Sequence, residues 1–230
     1  MQTSDKPVAL VVGGTSGLGF EIANQLTSIG YKAYVAGRHD PHEIHLEYRA
    51  IDLIQETYRR LVLCCGELIM NLPRINTFVY AAGFGQEGTI DSLSDTAINA
   101  MMCVGLAAPA ALLHEIIFKQ GCLDEFIAIT STSQLIHRPQ EPMYAATKAG
   151  LGMLAKSVAD GDKVKKTLVF APGGMNTKFG SGQRQDVDRS TYLDPAFVAG
   201  RIMELRVGNY TYLHYLLPRY VREAEVIERR

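Results

Sequence analysis

The chain has 230 residues, 47% of them hydrophobic, enough for the core of one α/β domain. A formal net charge of -1 leaves no basic footprint for nucleic acid, and no run approaches the roughly 20 uninterrupted apolar residues of a membrane span. Residues 1–7 are polar, without an apolar signal region, and the four cysteines (Cys64, Cys65, Cys103, Cys122) lack metal-ligand spacing. The expectation is a cytoplasmic protein with reduced thiols.

Residues 8–12 form a short apolar run, the mark of a strand buried on both faces. A glycine-rich turn follows, Gly13-Gly14-Thr15-Ser16-Gly17-Leu18-Gly19. Residues 18–29 then read as a helix with Gly30 as its stop. A second strand spans 31–36 and ends at Gly37-Arg38; a weaker one spans 48–51 and ends at Asp52. The pattern over 54–71 is helical and closes at Pro73, and 75–82 reads as a strand ending in Gly83. A long helical stretch runs over 93–119. The strand 126–130 leads into Ser131, and Pro142 precedes a helix that continues to about Ala159. After it come a strand at 167–171 before Pro172-Gly173, a helix at 195–205 and a final strand at 210–217. From Arg219 the chain is charged and reads as a frayed helix or a disordered tail. The organisation is thus a single domain, 1–218, with a tail, 219–230.

Strands alternating with helices argue for a Rossmann-like, doubly wound parallel sheet with helices on both faces. Ligands bind such sheets at the carboxyl ends of the strands, where strand order reverses. The glycine turn, Arg38, Asp52, Gly83, Ser131 and Pro172 all follow predicted strands and so gather on one edge. The polar, glycine-containing connection 176–193 is the candidate for a lid over that edge.

The chemistry is carried by two motifs. Tyr144 and Lys148 lie four residues apart, so they share one helix face. A cation beside a phenol is expected to lower its pKa toward neutrality and fit it for proton exchange with an alcohol oxygen. The glycine turn between strand and helix lets the backbone approach a pyrophosphate, while the helix N-terminus offers N–H groups and positive dipole. His39, His42 and His45 repeat every three residues, but Pro41 breaks any helix that would align them, and no metal is expected.

With these motifs and their order, the chain resembles the short-chain dehydrogenase/reductase family of the compact single-domain type. The family's Thr-Gly-x-x-x-Gly-x-Gly turn is matched by Val12-Gly13-Gly14-Thr15-Ser16-Gly17-Leu18-Gly19, with Val12 in place of threonine. Its catalytic serine stands thirteen residues before the tyrosine, as Ser131 stands before Tyr144, and its Pro-Gly-x-x-x-Thr element is matched by Pro172-Gly173-Gly174-Met175-Asn176-Thr177. The resemblance covers about residues 7–217. It implies Ser131, Tyr144 and Lys148 as catalytic residues. It implies a cofactor held by Gly13, Thr15, Ser16, Gly17, Leu18, Gly19, Arg38, Asp52, Leu53, Ala82, Gly83, Tyr144, Lys148, Pro172, Gly173 and Thr177. Arg38 at the end of the second strand, with no acid before Asp40, favours the 2′-phosphate of NADP over the 2′-hydroxyl of NAD.

Two positions depart from the family pattern. Tyr80-Ala81-Ala82-Gly83 stands where the family has Asn-Asn-Ala-Gly. Gly105 stands where it has an asparagine on the long middle helix, whose backbone carbonyl helps hold a water linked to the lysine. The expected activity is hydride transfer between NADP(H) and a small-molecule carbonyl/alcohol pair. The alternative is a non-catalytic NADP(H)-binding sensor or interaction protein on the same fold. A homodimer or homotetramer paired through the long helix and the Tyr144 helix is also implied. Neither substrate nor physiological direction follows from the residues; Phe84, Ile136, Met143, Met175, Phe179 and Tyr192 suggest only an apolar pocket.

Overall fold

The computed structural model describes residues 6–177, 179, 190–219 and 225–230. Its centre is an eight-stranded sheet in the order β3-β2-β1-β4-β5-β6-β7-β8. The strands are β1 (Val8–Val12), β2 (Lys32–Gly37), β3 (Glu47–Ala50), β4 (Thr77–Tyr80), β5 (Glu125–Ile129), β6 (Thr167–Pro172), β7 (Tyr212–Leu217) and β8 (Glu225–Arg229). All pairings are parallel except β7 with β8. Strand order reverses between β1 and β4, which makes the carboxyl edge there the expected ligand crevice.

Two apolar layers flank the sheet because successive strand residues face opposite sides. On one face, Leu10, Phe78 and Phe126 pack with Leu61 of helix α2 (Tyr58–Met70), Leu112 of the long helix and Ala155 of α5 (Pro142–Ala159). On the other, Val11, Ile127 and Phe170 pack with Ile22 of α1 (Gly17–Ser28) and Val198 of α6 (Pro195–Arg206).

The predicted elements recur with shifted ends. Helix α2 starts later than its apolar pattern, because the Thr57 hydroxyl accepts from the Arg60 N–H at 3.2 Å and fixes the first turn there. The long helix is continuous but not uniform: α3 (Asp95–Met102) passes through a π-turn (Cys103–Ala107) into α4 (Ala108–Gln120), and Gly121 ends it at φ +81°. By length and composition this helix could cross a membrane. In the fold its Ala111, Leu112 and Ile116 are buried against the sheet.

The charged tail corrects the expectation of a frayed helix or disorder. Residues 225–229 pair antiparallel with β7 and cover that edge of the sheet. Their charges are used laterally, Glu228 with Lys156 of α5 at 2.5 Å and Arg230 with Asp160. The proposed lid is only partly visible: residues 178 and 180–189 lie outside the described residues. Its two ends are pinned together, with the Asn176 N–H bonded to the Leu193 carbonyl and the Leu193 N–H to the Gly174 carbonyl.

Candidate active site

The glycine turn folds against the neighbouring strand ends. Gly13 has φ +81°, and a Cβ built on it would lie 2.4 Å from the Ala82 nitrogen; one built on Gly19 would lie 2.2 Å from the Gly13 carbonyl oxygen. Any side chain at either place would force the turn open. Gly17, at φ +56°, faces Thr177, so the first turn meets the Pro172-Gly173 element across the crevice. Helix α1 begins behind this turn, and the Ser16 side chain does not cap it, which leaves its first N–H groups directed at the crevice.

The far end of the crevice lies between β2 and β3. Thr15 packs on Gly37, where a Cβ would meet its hydroxyl oxygen at 2.7 Å. Arg38 follows, exposed to solvent. Asp40, the first acid after it, accepts from the His42 N–H at 2.7 Å and is engaged in its own loop. Asp52 is exposed and Leu53 buried beside it, with the Ile51 N–H tied to the Gly37 carbonyl at 3.0 Å. His45 bonds Asn24 at 2.8 Å, away from its two partners in the repeat.

The near end holds Ser131, Tyr144 and Lys148. Ser131 follows β5, and its hydroxyl caps the short 3-10 turn Thr132–Gln134 by accepting from the Ser133 N–H at 3.1 Å. The same side chain lies near enough to the Tyr144 phenol to pull its pKa down. Lys148 is 4% exposed; its ammonium donates to the Ile129 carbonyl at 3.0 Å and lies 5.8 Å from the centre of the Tyr144 ring. Gly83 and Gly85 leave room for this group: a Cβ on Gly85 would lie 3.2 Å from the Tyr144 ring.

The electrostatics differ from the sequence expectation. Burial pushes the Tyr144 phenol up to about 12, against the pull of Ser131; Glu141 adds to the rise and Arg138 opposes it. Burial also brings the Lys148 ammonium down to about 8. With Lys148 neutral above about 8, no ammonium charge stands beside the phenol in the range where it ionises.

The profile of the short chain dehydrogenase family matches residues 7–188. The chain belongs to that family. Its relatives include the 3-oxoacyl-[acyl-carrier-protein] reductase of Rickettsia prowazekii, 25% identical over 224 residues that cover 89% of this chain and 91% of that protein. The acetoacetyl-CoA reductase of an Acinetobacter species is 27% identical over 233 residues, 88% and 91% of the two chains. Among solved structures, a short-chain dehydrogenase/reductase from Vibrio parahaemolyticus superposes with a TM-score of 0.76 at 24% identity, covering 94% of this chain and 98% of that one. An alcohol dehydrogenase from Thermococcus sibiricus, complexed with 5-hydroxy-NADP, gives 0.73 at 20% identity over 97% and 96%. The protein is therefore a short-chain dehydrogenase family oxidoreductase with a Rossmann-like fold.

Three residues at this family site were not singled out for it by the sequence. Phe179, named only as part of an apolar pocket, lies over Tyr144 with ring centres 5.8 Å apart, and a Cβ on Gly83 would meet its ring at 3.0 Å. Ser133 and Glu141 are joined by a 2.9 Å hydrogen bond that ties the turn bearing Ser131 to the start of α5. That link closes across a loop, 134–140, with no periodicity, so nothing in the spacing announces it.

Proposed function

We propose that the protein transfers a hydride between NADP(H) and a carbonyl/alcohol substrate, with Ser131, Tyr144 and Lys148 as its catalytic residues. The observation that supports this most is the convergence of Lys148 and Tyr144 beside Gly83 and Gly85, with Ser131 acting on the Tyr144 phenol, on the edge where the glycine turn leaves a side-chain-free cradle. NADP(H), when bound, supplies the hydride chemistry. Gly13, Gly17 and Gly19 allow its pyrophosphate to approach the backbone. Asp52, Leu53 and Ala82 would border the adenosine, and Thr177 the nicotinamide end. The exposed Arg38 offers a fork to the 2′-phosphate, while Asp40, already bonded in its own loop, does not compete for the ribose.

In the reducing direction Tyr144 donates its proton to the substrate oxygen, and Ser131 bonds the same oxygen and stabilises the charge that develops there. A phenol held near 12 is fully protonated at neutral pH, the state a proton donor needs at the start. Lys148 places a buried positive charge at the base of the site and would bond the nicotinamide ribose. The named activities of the two relatives make short 3-oxoacyl thioesters the first substrates to screen. Pairing into a homo-oligomer would use α4 and α5, which expose Phe118 and Met153. We place the protein in the cytoplasm.

The test is a titration with NADPH and NADH followed by nicotinamide fluorescence; with no tryptophan in the chain, intrinsic quenching is a poor probe. NADPH is expected to bind more tightly, and Arg38→Ala to remove that preference. Equal affinities in the wild type would sink the NADP assignment. Binding of neither dinucleotide would sink the enzymatic reading.

A further inference from the structure

The two departures from the family pattern, Tyr80 and Gly105, meet in the structure. Tyr80 ends β4 and is completely buried, so its hydroxyl must find a partner inside the protein. It donates to the carbonyl of Val104. Burial holds its phenol well above the ordinary tyrosine range, so it stays a donor. The acceptor belongs to the π-turn Cys103–Ala107, where the Ala108 N–H bonds the Cys103 carbonyl five residues back. A π-turn widens the helix and disturbs the regular four-residue ladder, so a buried carbonyl there needs a donor from another element.

Gly105 is the next residue. A Cβ built on it would lie 2.5 Å from the Thr147 Cβ and 2.6 Å from its hydroxyl oxygen. Thr147 is 1% exposed, and its hydroxyl donates to the Tyr144 carbonyl at 2.9 Å, so it cannot turn away without losing that bond. Its neighbour is Lys148. A continuous line of contact therefore runs from β4 through the π-turn to α5 and the lysine of the site.

We propose that Tyr80, Gly105 and Thr147 form one unit that seats the π-turn against α5 and so fixes the place of Lys148, with Tyr80 as a positioning residue. The two departures are then a single compensated change. Tyr80 supplies the donor that the widened turn requires, and the widened turn comes so close to Thr147 that only glycine fits. The asparagine of the family pattern has no room at 105. The inference rests on reading Lys148 as the lysine of the site.

The test removes one oxygen and follows the lysine. Protein labelled with 13C at the lysine ε-carbon is titrated by NMR, with Lys148→Arg assigning the resonance. The wild type is expected to titrate near about 8. Tyr80→Phe loosens the turn and lets water reach the ammonium, so the midpoint rises by about half a unit or more, because burial is what lowered it. Far-ultraviolet circular dichroism stays at its wild-type value, which shows that the variant is folded. An unchanged midpoint in a folded Tyr80→Phe protein overturns the proposal. If that variant does not fold, Gly105→Ala carries the test, alone and combined with Thr147→Gly. The single variant displaces the midpoint and the double variant restores it; no displacement in the single variant, or none recovered in the double, overturns the proposal. The titration needs no substrate. A wild-type protein that turned over no carbonyl compound would end the catalytic reading and leave the coupling to be judged on the lysine alone.

Discussion

The two ends of the parallel sheet both bury charge, and they treat it differently. At the amino ends of the strands, Arg206 and Glu125 are 9% and 8% exposed in their side chains and are paired. Arg206 also donates to Tyr31 at 2.9 Å, and Thr77 donates to Glu125 at 3.0 Å. Asn76 accepts from the Val8 N–H and donates to Asp124, each at 2.9 Å. At the carboxyl ends Lys148 is buried as deeply, yet among the described residues it meets a backbone carbonyl and no carboxylate. A buried charge that is paired and bonded holds a fold together; one left without a counter-charge is held at raised energy and is available for chemistry.

The largest expected effect lies at the carboxyl end. Tyr144→Phe should lower turnover by about 10²- to 10⁴-fold, the range for a positioned proton donor, with NADPH binding and the unfolding midpoint nearly unchanged. Steady-state kinetics beside a cofactor titration checks this, and wild-type turnover in the variant would end the assignment. The mirror experiment is Arg206→Ala. Leaving Glu125 buried and unpaired should destabilise the fold by about 3–5 kcal/mol in denaturant unfolding, with turnover per folded molecule unchanged. If both variants lost activity and stability together, the division between the ends would fail.

The carboxyl end was the more legible of the two. The glycine turn, the Tyr144–Lys148 spacing and Ser131 are local signals, each confined to one strand–turn–helix unit, and the structure brings them to one crevice. Gly105 was visible as an oddity, but its cause is a contact with Thr147 from another helix, which no spacing reveals. The Tyr144 phenol departs from the lowered pKa its spacing suggests for a related reason. Charge proximity can be read from four residues on a helix, whereas burial depends on the whole packed crevice. The amino-end network was not legible at all, since Arg206 meets Glu125 across 81 positions and Tyr31 across 175. Strand β8 escaped because Glu225–Arg229 is charged and short; it forms because β7 offers an open edge and Lys156 a partner for Glu228.

A smaller effect sharpens the comparison through pH. Lys148 titrates near about 8 in the fold against 10.5 in an ordinary setting, so between those values the unfolded chain holds more protons than the folded one. Stability therefore rises with pH across that window, and below it the full cost of burying the charge is carried. Lys148→Met should remove this slope and stabilise the fold near neutrality by on the order of 3 kcal/mol at most. Unfolding midpoints of the two proteins between pH 7 and 10, taken as a difference so that other groups cancel, decide it. Parallel curves would mean that the ammonium is better solvated than its burial indicates.

The smallest expected effect separates burial from pairing at the amino end. Lys165 bonds Asp124 at 2.7 Å, a contact as short as many buried ones, but its side chain is 63% exposed. Water already satisfies both partners when they part, and ordering a long side chain offsets what the contact gains. Lys165→Ala should thus give no resolvable change in the unfolding midpoint at neutral pH, beside the large loss in Arg206→Ala. Asp124 still keeps Asn76 as a donor, so its carboxylate is not stranded. The comparison depends on burial, and these two basic residues test it directly, since both face an acid at the same end of the sheet. A loss in Lys165→Ala comparable to that in Arg206→Ala would show that pairing itself stabilises the amino end, and the contrast with Lys148 would then rest on the missing carboxylate rather than on depth.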